Sequence, residues 1–269
     1  MAERKLALVT GASAGIGLAF AEHLAALGFD LVLVARRLER LQEIASRLNE
    51  EHGVEVIPMR MDLSTRTAPS EIMDKLDADG RVVDVLVNNA GYAISSSFQR
   101  THWSDLEGFL EVLAIGQLEL MHRVVPGMRK RRYGRILNIA SLAAFAPENP
   151  GGMYGAVKRF LVSASRAVWL ELRGTNVHVT AVCPGYTWTE FHDVLGNRKE
   201  ISKLPRWMWQ TSEAVVREGW RACERRQPVV VTGFMNKLLR IICHMLPMSL
   251  GSRIAPRGTR RRREKPRPQ

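Results

Sequence analysis

The sequence is short of cysteine, of acidic side chains and of long apolar runs. Its three cysteines, Cys183, Cys223 and Cys243, are odd in number, far apart and set among apolar residues. This pattern indicates buried thiols in a reducing compartment, and it excludes both a disulfide framework and a zinc cluster. The apolar runs are too short or too interrupted to cross a bilayer. We therefore expect a soluble, cytoplasmic protein without a bound metal.

What the sequence does have is an alternation of strand and helix patterns, with no internal repeat and no low-complexity linker in its interior. A length of 269 residues fits one α/β domain. Hydrophobic residues make up 46% of the chain, which is enough to cover both faces of a parallel sheet. Because the first strand pattern begins at Lys5, we expect neither a signal peptide nor a transit peptide.

A glycine-rich turn follows that first strand. The apolar segment 5–10 runs directly into Gly11, Gly15 and Gly17, and an Ala-rich helix pattern comes next. Glycines let the backbone approach a pyrophosphate closely, and a helix N-terminus offers free N–H groups to it. A glycine-rich loop can also be a plain turn, but its place between strand and helix favours a dinucleotide site. We predict a Rossmann-type, doubly wound parallel sheet in a single domain, residues 1–256, with helices on both faces.

The second apolar strand, residues 30–35, ends in Arg36 and Arg37. A strand tip at this point reaches the adenosine ribose of a bound dinucleotide, where an acidic residue would favour NAD. A guanidinium instead suits a 2′-phosphate through charge and paired hydrogen bonds. We therefore predict that Arg36 makes NADP(H) preferred over NAD(H). The alternative is that both arginines are the solvated start of a helix over residues 38–48.

Tyr154 and Lys158 lie four residues apart, a spacing that places both side chains on one face of a helix. A free phenol has a pKa of about 10. An ammonium ~4 Å away contributes about 4 kcal/mol at an effective dielectric near 20, which could lower the pKa of Tyr154 by up to about three units. This predicts a general acid or base, although the pair could also decorate an ordinary helix. Ser141 ends the strand pattern 135–140, where it is either a ligand to a substrate oxygen or a turn serine.

With these residues in place, residues 5–189 resemble the short-chain dehydrogenase/reductase family. The segments that carry the resemblance are Thr10 to Gly17 for its cofactor loop, Asp62-Leu63 for its adenine contact, Asn88 to Gly91 for its fourth-strand motif and Tyr154 to Lys158 for its active site. The resemblance implies that Ser141, Tyr154 and Lys158 are catalytic. It implies cofactor contacts by Gly11, Ser13, Gly15, Ile16, Gly17, Arg36, Asp62, Asn89, Tyr154, Lys158, Pro184, Gly185 and Thr187.

The sequence leaves an alternative role open for Asp62 and for the pair Asn88 and Asn89. Asp62 could accept a hydrogen bond from the adenine amino group, or it could cap a helix before Thr65. Asn88 and Asn89 follow a buried strand pattern, and we expect them to shape the cofactor cleft or to satisfy neighbouring backbone groups rather than to take part in chemistry.

One position departs from the family pattern. The resemblance implies an asparagine in the long fourth helix, whose backbone carbonyl holds a water that links the lysine to solvent, and here Leu113 occupies that position. A backbone carbonyl survives this replacement, whereas the side-chain amide is lost. Gln117, one turn later on the same face, either substitutes for the amide or is a plain helix residue.

The region after Thr187 indicates the substrate. Its large apolar side chains, over a predicted substrate lid at residues 188–211, favour an apolar, lipid-like ligand, although they could also cap their own core. The residues concerned are Trp188, Phe191, Leu204, Trp207, Met208 and Trp209.

The last segment, residues 257–269, contains seven basic residues and one acidic residue, and we expect it to be disordered. It is either a solubilising tail or a contact for anionic lipid, and we expect no specific nucleic acid binding. Upstream, the apolar and basic segment 235–250 could lie on a membrane surface, pack on the core or form a dimer contact. We expect a homo-oligomer, with peripheral membrane contact as the alternative.

The functional prediction is an NADP(H)-dependent oxidoreductase that interconverts a ketone and a secondary alcohol, with Tyr154 as acid or base. The alternative is a non-catalytic NADP(H)-binding sensor or scaffold protein. Leu113 and the basic tail motivate that alternative, and the intact set of Ser141, Tyr154 and Lys158 argues against it.

Overall fold

The computed structural model describes residues 4–94, 96–147, 153–191 and 205–245. Strands and helices alternate along most of the chain. In order, they are β1 (Leu6–Thr10), α1 (Gly15–Ala26), β2 (Asp30–Ala35), α2 (Leu38–His52), β3 (Val56–Arg60), α3 (Ala68–Ala78), β4 (Val83–Asn88), α4 (Trp103–Leu110), α5 (Gly116–Arg131), β5 (Gly134–Ile139), α6 (Tyr154–Glu171), β6 (Val177–Cys183), β7 (Tyr186–Thr187), β8 (Trp209–Gln210), α7 (Ser212–Glu224), β9 (Val229–Val231) and α8 (Phe234–Met245).

Seven of these strands form one parallel sheet in the order β3-β2-β1-β4-β5-β6-β9. The chain moves outward from β1 to β3 and then returns to build the other half from β4. Between β1 and β4 the order reverses, and the carboxyl ends of those two strands border the crevice where open α/β sheets bind ligands. The predicted Rossmann-type doubly wound sheet is confirmed.

Apolar side chains cover both faces of this sheet, because every residue of the central strands β1, β4, β5 and β6 is buried. One core cluster joins the sheet to α1, α2 and α7, with Phe20 at its centre. The other joins it to α3, α4, α5 and α6, with Phe109 fully enclosed. The prediction of helices on both faces is therefore confirmed.

Buried amides connect the sheet to the second helical layer. Asn88 Nδ2 at the end of β4 donates to Asn138 Oδ1 of β5 at 2.9 Å and to the Gln117 carbonyl oxygen at 3.0 Å. Asn138 Nδ2 donates in turn to Ser165 Oγ of α6 at 2.9 Å. Because an unpaired buried amide is costly, this chain of bonds fixes β4, β5, α5 and α6 relative to one another. The contacts of Asn88 agree with the expectation of a supporting role.

The element boundaries differ slightly from the predicted ones. Helix α2 continues past residue 48 to His52 and ends at Gly53, whose φ of +64° suits a glycine. Strand β3 lies at the edge of the sheet and contains Pro58, which is tolerated there because an edge strand needs fewer donors.

Cys183 and Cys223 are buried as predicted, whereas Cys243 on α8 is only half-buried. No described helix is both long and apolar enough to cross a membrane. The basic tail at residues 257–269 lies outside the described residues.

Candidate active site

The glycine loop joins β1 to α1. Gly11 and Gly15 have φ values of +65° and +57°, in the left-handed region that favours glycine. At Gly17 a Cβ atom would overlap with the carbonyl oxygen of Gly11 and the side-chain amide of Asn89. These positions therefore accept no side chain without a shift of the backbone, which leaves the loop surface open to a ligand.

The start of α1 fits an anionic group. The helix begins after Ala14, which has extended backbone, and no described side chain caps its free N–H groups. Its first turn contains no acidic residue, so the positive end of the helix dipole is uncompensated. Ser13 is buried beside this turn and Ile16 is half-buried. A helix N-terminus of this kind can accept an anionic group such as a pyrophosphate.

Asn89 connects the end of β4 to the glycine loop. Its Nδ2 donates to the carbonyl oxygens of Thr10 at 3.0 Å and Gly11 at 3.1 Å. The hydroxyl oxygen of Thr10 accepts hydrogen bonds from the backbone N–H groups of Asn89 and Ala90. Asn89 therefore shapes the cleft from outside the loop, as the sequence indicated, and Thr10 is a second support that sequence reasoning did not single out.

The two arginines after β2 point to different surroundings. Arg37 Nη2 donates to Ser13 Oγ of the glycine loop at 3.2 Å. Arg36 is exposed, and its charge is one of the causes that lower the pKa of Asp62 against the opposing effect of partial burial. Arg36 therefore faces the Asp62 side of the cleft, while Arg37 is the arginine in contact with the loop. The sequence prediction chose Arg36 alone, and alternation along an extended segment could have pointed to its neighbour.

Asp62 lies in a tight turn after β3. Its Oδ1 accepts hydrogen bonds from the Ser64 backbone N–H at 3.0 Å and the Ser64 hydroxyl at 2.8 Å. Partial burial raises the pKa of Asp62, but these bonds and the charge of Arg36 outweigh it and keep the pKa low. Helix α3 begins only at Ala68, after Thr67. Asp62 is thus a turn residue and not a helix cap.

Ser141, Tyr154 and Lys158 come together at the carboxyl end of β5. Ser141 begins a short 3₁₀ turn, and its Oγ accepts from the Ala143 backbone N–H at 3.1 Å. The Ser141 side chain lies close enough to Tyr154 to lower the pKa of its phenol, against the larger opposing effect of burial. Tyr154 is the first residue of α6 and Lys158 lies one turn later on the same helix, as their spacing predicted. The structure therefore brings all three predicted catalytic residues to one place.

The electrostatics of this group differ from the prediction. Burial raises the pKa of Tyr154 to about 12, against a smaller lowering by the hydrogen bond from Ser141. Lys158 Nζ donates to the Ile139 carbonyl oxygen at 2.7 Å and lies 5.8 Å from the centre of the Tyr154 ring. Burial also lowers the pKa of Lys158 to about 8. The expectation that this ammonium lowers the pKa of the phenol is wrong for the structure, since burial outweighs it.

The segment after β6 closes the same end of the sheet. The carbonyl oxygen of Pro184 accepts from the Leu142 backbone N–H at 2.8 Å, which places it beside the Ser141 turn. A Cβ atom on Gly185 would overlap with the Asn236 amide. Thr187 is buried, and its hydroxyl donates to the Gly185 carbonyl oxygen at 3.1 Å. These residues therefore lie between the Ser141 turn and α8, just after the carboxyl end of β6.

Two parts of the predicted lid are described, residues 188–191 and 205–211, and Leu204 lies outside them. The rings of Trp188 and Trp209 stack with centroids 4.0 Å apart and an interplanar angle of 18°. The Phe191 ring packs against Tyr154 at 5.9 Å. The described start of the predicted lid therefore packs against Tyr154 through Phe191.

The position that departs from the family pattern lies in a π-helical turn, Glu111–Ile115, between α4 and α5. Leu113 is fully buried there. Gln117, also buried, donates through Nε2 to the carbonyl oxygens of Ala90 at 3.0 Å and Val112 at 3.2 Å. Its amide thus joins the turn to the loop after β4, which supports substitution over a plain helix residue.

Thr189 and Glu190 are further residues of the cleft that sequence reasoning did not identify. The methyl group of Thr189 lies against Gly15, 2.9 Å from where a Cβ atom would stand. Glu190 forms ion pairs with Arg37 and Arg40.

Comparison with known proteins agrees with this site. The profile of the family described as short chain dehydrogenase matches residues 5–200. A protein named NADP-dependent 3-hydroxy acid dehydrogenase YdfG, from Salmonella typhi, is 37% identical over 191 residues, which cover 70% of this chain and 75% of the relative. The chain belongs to the short-chain dehydrogenase family, as its motifs predicted.

Solved structures of the family superimpose well. A short-chain dehydrogenase from Sphingobium yanoikuyae in complex with NADPH is 34% identical, with 84% of this chain and 87% of that chain covered and a TM-score of 0.77. A 7beta-hydroxysteroid dehydrogenase is 26% identical, with 93% and 95% covered and a TM-score of 0.83. The match therefore extends over nearly the whole sheet.

Proposed function

We propose that this chain is an NADP(H)-dependent oxidoreductase that interconverts a ketone and a secondary alcohol on an apolar, lipid-like substrate, with Tyr154 as acid or base. The observation that carries the proposal is the pairing of Ser141 with Tyr154, whose pKa the Ser141 side chain lowers against the larger effect of burial, with the buried Lys158 Nζ 5.8 Å from the centre of the Tyr154 ring. A purely binding protein has no need of such a pair.

The cofactor preference agrees with the relatives. The relative from Salmonella typhi is named NADP-dependent, and the Sphingobium enzyme was solved with NADPH. These relatives confirm the prediction of NADP(H). When bound, this group supplies the hydride that is exchanged with the carbonyl carbon.

We assign the pyrophosphate to the glycine loop and the start of α1, and the 2′-phosphate to Arg36, Arg37 and Ser13. Asp62, whose Oδ1 is engaged by Ser64, presents its carboxylate to the adenine. Pro184, Gly185 and Thr187 border the nicotinamide end of the cleft. The remaining cofactor contacts follow the predicted set, namely Gly11, Gly15, Ile16, Gly17, Asn89, Tyr154 and Lys158.

The proton chemistry falls to two hydroxyl groups. With a pKa of about 12, Tyr154 is fully protonated at neutral pH, so it donates its proton to the oxygen of a ketone during reduction. Ser141 hydrogen-bonds the same oxygen and orients it. Lys158 is held on the Ile139 carbonyl oxygen at 2.7 Å, with its Nζ 5.8 Å from the centre of the Tyr154 ring, so it borders the same site.

The surroundings of Tyr154 support an apolar substrate. A cleft beside the ring is lined mainly by apolar side chains from the β4–α4 connection, from α4 and from the start of α6, namely Ile94, Phe98, Leu106, Phe109 and Met153. Phe191 covers the other side of the ring. Apolar walls with a few convergent hydroxyl groups are the usual form of a site for a lipid-like ligand.

The test is a panel of carbonyl compounds, followed by NADPH consumption. We expect turnover of steroid ketones and long-chain aliphatic ketones, lost in Tyr154→Phe, and little turnover of the ketones of short hydroxy acids. Turnover restricted to short polar compounds would contradict the substrate class alone. If NADPH binds and no compound is reduced, the alternative of a non-catalytic sensor takes its place.

We also propose that the chain forms a homo-oligomer through α8. This helix exposes an apolar stripe made of Phe234, Leu238, Ile241 and Ile242, and 78% of Phe234 is exposed. Such a stripe usually meets a partner. Sedimentation velocity should show a dimer or larger species that Ile241→Ser dissociates. A monomer that instead binds anionic vesicles would identify the stripe as a peripheral membrane contact.

A further inference from the structure

A carboxylate in the predicted lid, that of Glu190, forms ion pairs with two arginines at the start of α2. Glu190 accepts a hydrogen bond from Arg37 Nη2 at 3.1 Å through Oε2 and from Arg40 Nη1 at 2.8 Å through Oε1. Although partial burial raises the pKa of Glu190, the hydrogen bonds and charges of Arg40 and Arg37 lower it overall. Glu190 is therefore ionised at neutral pH and bridges two elements about 150 residues apart in sequence.

This bridge lies at the edge of the glycine loop. The same Nη2 of Arg37 that contacts Glu190 also donates to Ser13 Oγ. One residue before Glu190, the methyl group of Thr189 lies against Gly15. The carboxylate of Glu190 thus stands beside the group of side chains to which we assign the 2′-phosphate.

A 2′-phosphate and Glu190 would require the same donors. A phosphate monoester carries a charge of about −1.5 to −2 near neutral pH and forms charge-assisted hydrogen bonds to guanidinium groups. Two anions that share Arg37 repel each other, and each weakens the hold of the other on the guanidinium. Binding of the phosphate therefore requires that Glu190 yield at least its contact with Arg37.

We propose that Glu190 is a built-in competitor of the cofactor 2′-phosphate, so that this residue sets how strongly the chain distinguishes phosphorylated from unphosphorylated adenosine. This inference rests on the proposed assignment of the 2′-phosphate to Arg37 and Ser13. The effect is moderate, since 52% of the Arg37 side chain and 43% of the Glu190 side chain are exposed and exposed ion pairs are individually weak.

The test measures binding rather than turnover. Adenosine 2′,5′-bisphosphate and adenosine 5′-monophosphate are titrated calorimetrically into the full chain and into three variants. Glu190→Gln removes the competitor. Glu50→Gln is the matched control, because it removes one negative charge from an exposed position on α2. Arg37→Gln removes the donor that the phosphate and Glu190 share.

Glu190→Gln should bind adenosine 2′,5′-bisphosphate about three- to tenfold more tightly, as expected for the loss of two exposed ion pairs. Its affinity for adenosine 5′-monophosphate should stay within about twofold. Glu50→Gln should behave like the parent chain with both ligands. Arg37→Gln should weaken only the bisphosphate.

Two other outcomes separate this inference from the proposed site. If Glu190→Gln leaves the affinity for the bisphosphate unchanged while Arg37→Gln weakens it, Glu190 does not compete with the phosphate, but the assignment of the 2′-phosphate to Arg37 is supported. If neither variant changes the affinity for the bisphosphate, both the competition by Glu190 and the assignment of the 2′-phosphate to Arg37 are wrong. Equal tightening of the two ligands by Glu190→Gln also overturns the competitor, because the effect would then be general electrostatics.

Discussion

The ammonium of Lys158 donates to the carbonyl oxygen of Ile139, 2.7 Å away, at the end of β5. Lys158 is 3% exposed, so the folded protein encloses a cation next to a backbone acceptor rather than an acidic partner. Burial without a counter-ion destabilises the charged form, and this explains a pKa of about 8 for Lys158. Lys158 therefore titrates close to neutral pH.

The buried lysine should make stability depend on pH in a defined direction. The pKa of Lys158 falls from its ordinary value of 10.5 to about 8 on folding. Between these values the unfolded chain binds more protons than the folded chain, so the free energy of unfolding rises with pH. From pH 7 to pH 10 the gain from Lys158 alone is about 2 to 3 kcal/mol.

Lys158→Met should lack this gain. Urea unfolding at both pH values should therefore find the stability of wild type rising relative to that of the variant by about this amount. Parallel pH profiles for the two proteins would show that Lys158 titrates normally.

Tyr154→Phe should lower kcat by at least about a thousandfold, because the variant has no proton to give to the substrate oxygen. Its dissociation constant for NADPH should stay within about threefold, since the ring is retained. Tyr133→Phe is the control, because Tyr133 packs against Lys5 and Arg135, away from the catalytic residues. Comparable rates for the Tyr154 variant and wild type would remove this hydroxyl from the mechanism.

The two arginines after β2 should contribute unequally to cofactor preference. Arg37→Asp should reduce the ratio of kcat/KM for NADPH over NADH by about ten- to a hundredfold, since a charged hydrogen bond is worth about 1.5 to 3 kcal/mol. Arg36→Asp should reduce this ratio by several-fold only, because the hydrogen bond to Ser13 of the glycine loop comes from Arg37 and not from Arg36. Steady-state kinetics with NADPH and with NADH measures this ratio for each variant. An unchanged ratio in both variants would refute the assignment of the 2′-phosphate.

Gly17→Ala should weaken both stability and cofactor affinity. The added methyl group would overlap with the Gly11 carbonyl oxygen and the Asn89 amide, and the cost of such overpacking is about 1 to 3 kcal/mol. Gly108→Ala in α4 is the matched control, because its new methyl group would meet Ser64 at an ordinary 3.5 Å. Thermal unfolding and NADPH titration should separate the two variants, and equal behaviour would show that the loop adjusts without cost.

Local patterns in the sequence were sufficient for the parts of the site that depend on neighbours in the chain. The spacing of Tyr154 and Lys158 predicted that one helix face carries both side chains. The glycines predicted the turn before α1. The direction of the pKa shift of Tyr154 was not predictable, because it depends on burial in the folded chain. Glu190 was missed for a similar reason, since only the folded chain brings it to Arg37 and Arg40.

Pro58 in the outermost strand has a consequence for behaviour at high concentration. Proline cannot donate from its nitrogen, so a foreign strand that approaches β3 from outside finds a gap in the row of donors it would need. Pro58 therefore opposes strand pairing between copies along the β3 edge of the sheet. A purified sample that carries Pro58→Val should consequently form insoluble, β-rich deposits on storage sooner than the parent protein.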